Sequence, residues 1–110
     1  MLRVSAKFSA RRVFSAQTAR ALRELLASVV TEGTGHEAAP TEGTAAGKTG
    51  TAQTGQFRDG EELKNYWFAG FYPAEKPRWT IVVMQDAQTE PEVSSAAVFA
   101  RLSDALSAGE

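Results

Sequence analysis

The sequence predicts an α+β fold, with a three-stranded antiparallel sheet between one helix that precedes it and one that follows it. Three observations carry this. Apolar positions recur at helical spacing over residues 15–30 and again over about 92–106. Between them lie three strand-like runs, at about 45–53, 66–72 and 79–85. The connections between these runs are too short for helical crossovers, which makes the strands antiparallel neighbours.

A chain of 110 residues has the size of one domain. Its 43% hydrophobic and 23% charged residues are ordinary for a globular protein. A formal charge of -1 gives no global attraction to nucleic acid or to an anionic membrane. Charge is uneven, however: Arg3, Lys7, Arg11, Arg12, Arg20 and Arg23 all precede the first acid, Glu24. This reads as a solvated surface, or a segment belonging to a larger context, rather than as a nucleic-acid arm. The absence of cysteine excludes disulfides and thiolate metal sites. No apolar run approaches the ~20 residues of a membrane-spanning helix. The basic N-terminus lacks the apolar stretch of a signal peptide, so no export signal or anchor is expected within these residues.

Leu2, Val4, Ala6 and Phe8 alternate weakly with polar residues, so residues 1–14 read as a short strand or an extended arm, the arm covering residues 1–10. Ser15 can cap a helix by accepting from its free N–H groups. Ala19, Leu22, Leu25, Leu26, Val29 and Val30 then form an apolar stripe. Gly33 is placed to end the helix in a left-handed conformation. Residues 31–46 form a loop, in which His36 lacks partner motifs and reads as a surface residue.

The run Ala45–Gln53 is small and Thr-rich, and Asp59-Gly60 signals a turn within a polar stretch from Thr54 to Asn65. Residues 66–72 are aromatic and strand-like, and prolines bracket the next turn, residues 73–78. The continuous apolar run of Trp79–Gln85 predicts burial on both faces. Thr89, Glu90 and Glu92 are expected to open the last helix, with acids at its positive end. Its packing stripe reads Ala96, Val98, Phe99, Leu102, Ala105 and Leu106.

The chemistry concentrates in Gly47-Lys48-Thr49-Gly50-Thr51-Ala52-Gln53. A strand-edge lysine offers a positive charge for a carboxylate, or for holding down the pKa of a nearby acid or amine. The hydroxyls of Thr49 and Thr51 can grip a carboxylate, and Gly50 admits a substrate close to the backbone. A backbone N–H on an open edge can stabilise an oxyanion, and the edge itself can pair with an extended peptide. A phosphate-binding loop competes. It needs glycine, four residues, then Gly-Lys-Ser/Thr, but Glu42 stands at the first glycine position.

The wider series discriminates better. Arg12-Val13-Phe14-Ser15, a helix, Gly33-Thr34-Gly35, then Ala45 through Gln53, then Trp67-Phe68-Ala69-Gly70-Phe71 resembles the C-terminal third of a penicillin-binding transpeptidase domain, most of all the class B type. The resemblance covers roughly residues 11–107 and implies a partial transpeptidase/β-lactamase-like fold, with residues 1–110 as a single partial domain. It implies a serine acyl enzyme that cross-links peptidoglycan stem peptides and is acylated by β-lactams, with no cofactor and no metal. By position, Lys48, Thr49 and Gly50 match the family's third motif. The resemblance gives Lys48 a place in the charge and proton network around the nucleophile. It gives Thr51 a hydroxyl on the substrate carboxylate and a backbone N–H in the oxyanion hole.

Two other motifs of that family do not occur in the sequence. None of the serines is followed three places on by lysine; Ser9-Ala10-Arg11-Arg12 comes nearest, and an arginine stays protonated and cannot act as a base. The sole asparagine, Asn65, is preceded two places earlier by Leu63, so Ser-x-Asn is absent as well. The chain by itself is therefore expected to be inactive, as the C-terminal portion of such an enzyme. The alternatives are one half of a split enzyme needing a second chain, and a non-catalytic interaction module. The expected partners are a stem peptide or β-lactam and the N-terminal part of the transpeptidase domain, with no nucleic acid. The family works outside the cytoplasmic membrane, facing the cell wall. The apolar strand 79–85 is expected to form an open edge through which copies self-associate.

Overall fold

The computed structural model describes residues 6–109. Helix α1 (Ala16–Thr31) is followed by a short 3-10 turn (His36–Ala38), strands β1 (Ala46–Arg58), β2 (Glu61–Tyr72) and β3 (Trp79–Ala87), and helix α2 (Ser95–Ala108). The three strands form one antiparallel sheet in the order β1-β2-β3. Fold class and strand order agree with the sequence reading.

Ser15 caps α1 by accepting from the Thr18 N–H at 3.1 Å. The helix does not end on a left-handed glycine. Gly33 has no positive φ, because the N–H groups of Glu32, Gly33 and Gly35 satisfy the carbonyls of Ser28 and Val29 directly. The apolar stripe of α1 is only partly covered: Val30 is buried, while Leu22 is 43% and Leu25 65% exposed. Of the expected arm, residues 1–5 lie outside the described residues, and residues 6–14 are exposed and form neither helix nor strand.

The sheet core has one dominant face. Successive side chains alternate across a strand, and Phe68, Gly70 and Tyr72 of β2 are buried on the face that meets α2. Phe68 and Phe99 of α2 pack with ring centroids 4.7 Å apart, tilted by 57°. Val30, Ala38, Ala45 and Ala96 complete this cluster, with Trp79, Ile81 and Val83 packed against it. Burial of each phenylalanine is worth about 1.5–3 kcal/mol.

Three expectations change here. Strand β3 is not buried on both faces: Val82 is 57% and Met84 45% exposed, because only one face of the sheet meets α2 and the core, and on the other Trp67 and Ala69 of the central strand are exposed as well. Strands β1 and β2 continue through the polar stretch 54–65 and close in a two-residue turn at Asp59-Gly60, both with positive φ. Backbone ladder bonds hold this extension, so it needs no apolar pattern.

Helix α2 starts at Ser95, not near Glu92, and has no acid in its first turn. Pro91 keeps the segment before it extended, and Ser94 caps the helix through the Ala97 N–H at 3.0 Å. Its buried side is Ser95, Ala96, Phe99, Ala100 and Ser103, whereas Leu102 is 43% exposed. Small residues let the helix approach the sheet, and Ser103 donates to the Phe99 carbonyl at 3.0 Å.

The hairpin of β1 and β2 overhangs β3. The β2–β3 ladder ends at the Lys64–Ala87 pair, and a register shift interrupts β1 between Gln53 and Phe57. Beyond it, Gln88 donates to the carbonyls of Arg58 at 2.5 Å and Glu61 at 3.2 Å.

A polar tie fixes the opposite end of the sheet. Arg23 of α1 donates to the Glu75 carbonyl at 3.2 Å, the Thr44 hydroxyl donates to the Glu75 carboxylate, and the Ala74 N–H donates to the Thr44 carbonyl at 2.8 Å. The Thr44 hydroxyl bond, then a backbone hydrogen bond, and more weakly the Arg23 charge hold the Glu75 carboxyl below its ordinary value of 4.5. A carboxylate with a depressed folded-state pKa adds stability above its unfolded value and loses it as pH falls through the folded one. Glu75→Gln is therefore expected to flatten the part of the melting-temperature profile that declines below pH 4.5. Because Glu75 is exposed, the effect is small. Melts at matched ionic strength between neutral pH and acid check this.

Candidate functional site

The Lys-Thr-Gly run sits in the middle of β1, paired with the aromatic strand: Lys48 opposite Ala69, Thr49 opposite Phe68, Gly50 opposite Trp67 and Thr51 opposite Tyr66. Among the described residues no strand pairs with β1 on its other side, so its backbone groups form an open edge. The run is extended strand with no helix after it, which rules out the phosphate-loop geometry.

Alternation divides the run. Lys48 and Gly50 share one face, and Thr49 and Thr51 share the other, the face that looks toward α2. Lys48 is exposed, and its ammonium donates to the Thr49 carbonyl at 3.0 Å. That contact is with its own strand and engages no carboxylate. Thr51 is exposed and Thr49 half-buried.

The glycines of the run and of its partner strand have different reasons. A Cβ on Gly47 would stand 2.6 Å from the Ala69 carbonyl oxygen and 2.6 Å from the Phe68 ring. On Gly70 it would meet the Ala46 carbonyl oxygen and both core phenylalanines. On Gly50 it would meet only the Trp67 Cβ, at an ordinary 3.8 Å. Gly47 and Gly70 are therefore required by packing. Gly50 is not, and it faces free space.

The segment entering β1 is anchored to α2 and β2. The Thr41 N–H and hydroxyl donate to the Asp104 carboxylate at 2.8 and 2.9 Å, and the Tyr72 hydroxyl donates to the Glu42 carbonyl at 3.0 Å. These contacts set where Lys48 begins its stretch of edge.

A small cleft of about 100 Å³ flanks the run, lined by Thr49, Gly50 and Thr51, by Thr34 and Glu37 from the loop before β1, and by Glu90 through Ala96 in part. The Ser94 hydroxyl donates to the Glu37 carboxylate at 2.9 Å, which joins the two loops across the cleft. Sequence reasoning did not assign Thr34, Glu37 or Ser94 to the site, although Thr34 lies in the Gly33-Thr34-Gly35 run that carries the resemblance. Ser94 carried a local signal as well, as a serine ahead of a helical stripe, whereas Glu37 carried none. A larger open groove of about 490 Å³ lies between α1 and the sheet, lined by Ala16, Ala19, Arg20, Arg23, Phe71 and Thr80 among others. It has neither a nucleophile nor the Lys-Thr-Gly edge, so the smaller cleft is the candidate site. His36 is exposed, and among the described residues no group of His, Asp and Glu is placed to hold a metal.

Comparison with known proteins gives this geometry a class. The model of the penicillin-binding protein transpeptidase domain matches residues 3–104. The chain is 43% identical over 90 residues to penicillin-binding protein PbpB of Mycolicibacterium smegmatis and 40% identical over 79 residues to stage V sporulation protein D of Bacillus subtilis. Each match takes in 69% of this chain but only 13% and 12% of those proteins.

Among solved structures, it superposes on the transpeptidase domain of Burkholderia pseudomallei penicillin-binding protein 3 with a TM-score of 0.76 at 33% identity, covering 93% of this chain and 33% of that one. The D,D-transpeptidase domain of a peptidoglycan glycosyltransferase from Eggerthella lenta gives 0.65 at 34% identity, covering 94% and 24%. The chain belongs to the penicillin-binding protein transpeptidase family, and it spans a minor part of the length of the relatives it matches.

Proposed function

We propose that this chain is the part of a D,D-transpeptidase domain that binds the substrate, and that β1 is the wall of the cleft on which a peptidoglycan stem peptide or a β-lactam lies. The observation that carries this is the open β1 edge, with exposed Lys48 and Thr51 and an uncrowded Gly50 between them. An extended peptide adds to such an edge as a further strand. The Thr51 hydroxyl, with Thr49 beside it, holds the substrate carboxylate. The Thr51 N–H donates to the oxygen of the carbonyl under attack, and the Lys48 charge favours the deprotonated partners around it.

The nucleophilic serine and its lysine base come from outside residues 1–110, from the N-terminal part of the domain, which this chain meets either in a longer polypeptide or as a separate half. That serine oxygen attacks the peptide carbonyl, the terminal residue leaves, and the acyl group passes to an amine of a second stem peptide. Work at the outer face of the cytoplasmic membrane follows from the same reading. Residues 1–110 alone have no acyl-enzyme activity.

Fluorescent penicillin tests this. The purified chain alone is expected to take no covalent label. Mixed with the N-terminal portion of a related transpeptidase, it is expected to produce label on that portion's serine, reduced at least about tenfold by Lys48→Ala or Thr51→Val, the scale of losing one charge-assisted contact. Covalent label on this chain alone would overturn the proposal. Saturable binding of an unrelated protein, with no labelling in the mixture, would favour a non-catalytic module.

A further inference from the structure

We propose that Gln85 and Glu37 are positioning residues for substrate binding, and that together they clamp the connection from β3 to α2, residues 88–94, as a wall of the cleft that Thr49 and Thr51 line. The proposal rests on the reading of β1 as the substrate-binding edge and adds what stands beside that edge.

The connection has no ladder of its own. Among the described residues, no backbone–backbone hydrogen bond involves residues 88–93. Side chains hold the segment instead. At its start, Gln88 donates to the carbonyls of Arg58 and Glu61 in the hairpin. At its far end, the Gln85 amide donates to the Val93 carbonyl and to the Ser95 hydroxyl, both at 3.1 Å. The Ser94 hydroxyl accepts from the Ala97 N–H, so its single proton is left for the Glu37 carboxylate. Glu90 and Pro91, which line the cleft, are suspended between these attachments.

Both clamps stand on firm ground. Gln85 lies opposite Tyr66, and Tyr66 lies opposite Thr51, so one row of the sheet carries the clamp and the candidate binding hydroxyl. Ser95 is buried and donates to the Tyr66 carbonyl at 2.7 Å, which seats the first residue of α2 on that row. Glu37 belongs to the 3-10 turn, where Ala38 is fully buried and a Cβ on Gly35 would press on Val29 and Phe68. Packing thus fixes the turn without help from the Glu37 carboxylate. What the carboxylate adds is a fixed point for Ser94. A wall held in advance lowers the ordering cost of binding. It touches the ligand alike before and during bond breaking, so its loss weakens binding and spares the maximal rate.

Two substitutions release the wall and leave the fold. Gln85→Leu removes both amide bonds at similar volume, and Ser95 keeps its bond to Tyr66. Ser94→Asp caps α2 as well as serine does, but sets a second carboxylate against Glu37. Adding Glu37→Gln to Ser94→Asp remakes the contact with donor and acceptor exchanged. Circular dichroism checks that each variant folds. Because the chain has no native cysteine, a nitroxide on Glu92→Cys, an exposed position of the connection, reports motion through its electron paramagnetic resonance line shape. Gln85→Leu and Ser94→Asp should each turn a restrained spectrum into a mobile one, and the double variant should restore it.

In the penicillin-labelled mixture described above, each release is expected to raise the half-saturating penicillin concentration about tenfold and to leave the maximal labelling rate within about twofold. The double variant should return the half-saturating concentration to the wild-type value. A spectrum unchanged by either release, a fall in maximal rate with half-saturation unchanged, or a double variant as weak as Ser94→Asp would overturn the proposal. A wild-type mixture that takes no label would overturn the assignment of β1, while the spin label still decides whether the clamp exists.

Discussion

Phe68→Ala is expected to cost about 3–5 kcal/mol, the range for removing a fully buried aromatic ring. Against a total stability of roughly 5–15 kcal/mol, that leaves little margin for a chain of this size. The site of Phe68 makes the upper part of the range the expected one. The ring is fully buried, packs on Phe99, and is walled by backbone: a Cβ at Gly35, Gly47 or Gly70 would press on it. A socket made of main chain relaxes poorly into a void, so the cavity term is retained. Phe68 also stands opposite Thr49, so the loss reaches the candidate site. Urea titration followed by Trp fluorescence measures it, and an unchanged midpoint would contradict the packing described here.

Gly70→Ala and Gly50→Ala should separate packing from binding. The first forces a methyl group against the Ala46 carbonyl oxygen, Phe68 and Phe99. Overpacking of this kind costs about 1–3 kcal/mol, and the presence of a backbone atom among the neighbours favours the larger figure. The second meets one side-chain atom at 3.8 Å, so its stability should stay within about 0.5 kcal/mol of the wild type. Yet Gly50→Ala adds a methyl group to the Lys48 face of the β1 edge strand, along which the ligand strand is proposed to lie. The expected result is an intact melt with penicillin labelling of the reconstituted mixture lowered. Equal melting temperatures for the two variants would refute the distinction.

Much of this was legible in the sequence because it depends on local pattern. The 3.6-residue period placed α1, Ser15 announced its cap, and short connections fixed an antiparallel sheet in sequential order. The Lys-Thr-Gly run, together with the aromatic strand after it, pointed to the family that the comparisons then showed. What was not legible depends on the neighbours a residue finds. The apolar run of β3 has the composition of a buried strand, but Val82 and Met84 stand on the sheet face away from α2 and stay exposed, as do Ala69 and Trp67 beside them. Helix α2 buries Phe99 among serines and alanines and leaves Leu102 out, since small residues around one ring let the helix come close to the sheet. The loops that bring Glu37 and Ser94 together are 57 residues apart in sequence, and no spacing rule links them.

The overhanging hairpin implies uneven local stability. Residues 64–71 have a strand on either side, and opening them breaks two ladders and uncovers the core. Residues 54–63 have only each other, the bond from the Thr54 hydroxyl to the Leu63 carbonyl, the Gly55 N–H on Glu62, and Gln88. Little apolar surface is at stake there, because Phe57 is already 67% exposed. The free energy of opening therefore steps down at the register shift between Gln53 and Phe57. The hairpin end can detach and re-form on its own, while the Lys48–Thr51 segment stays tied to the slowest-opening strand of the molecule.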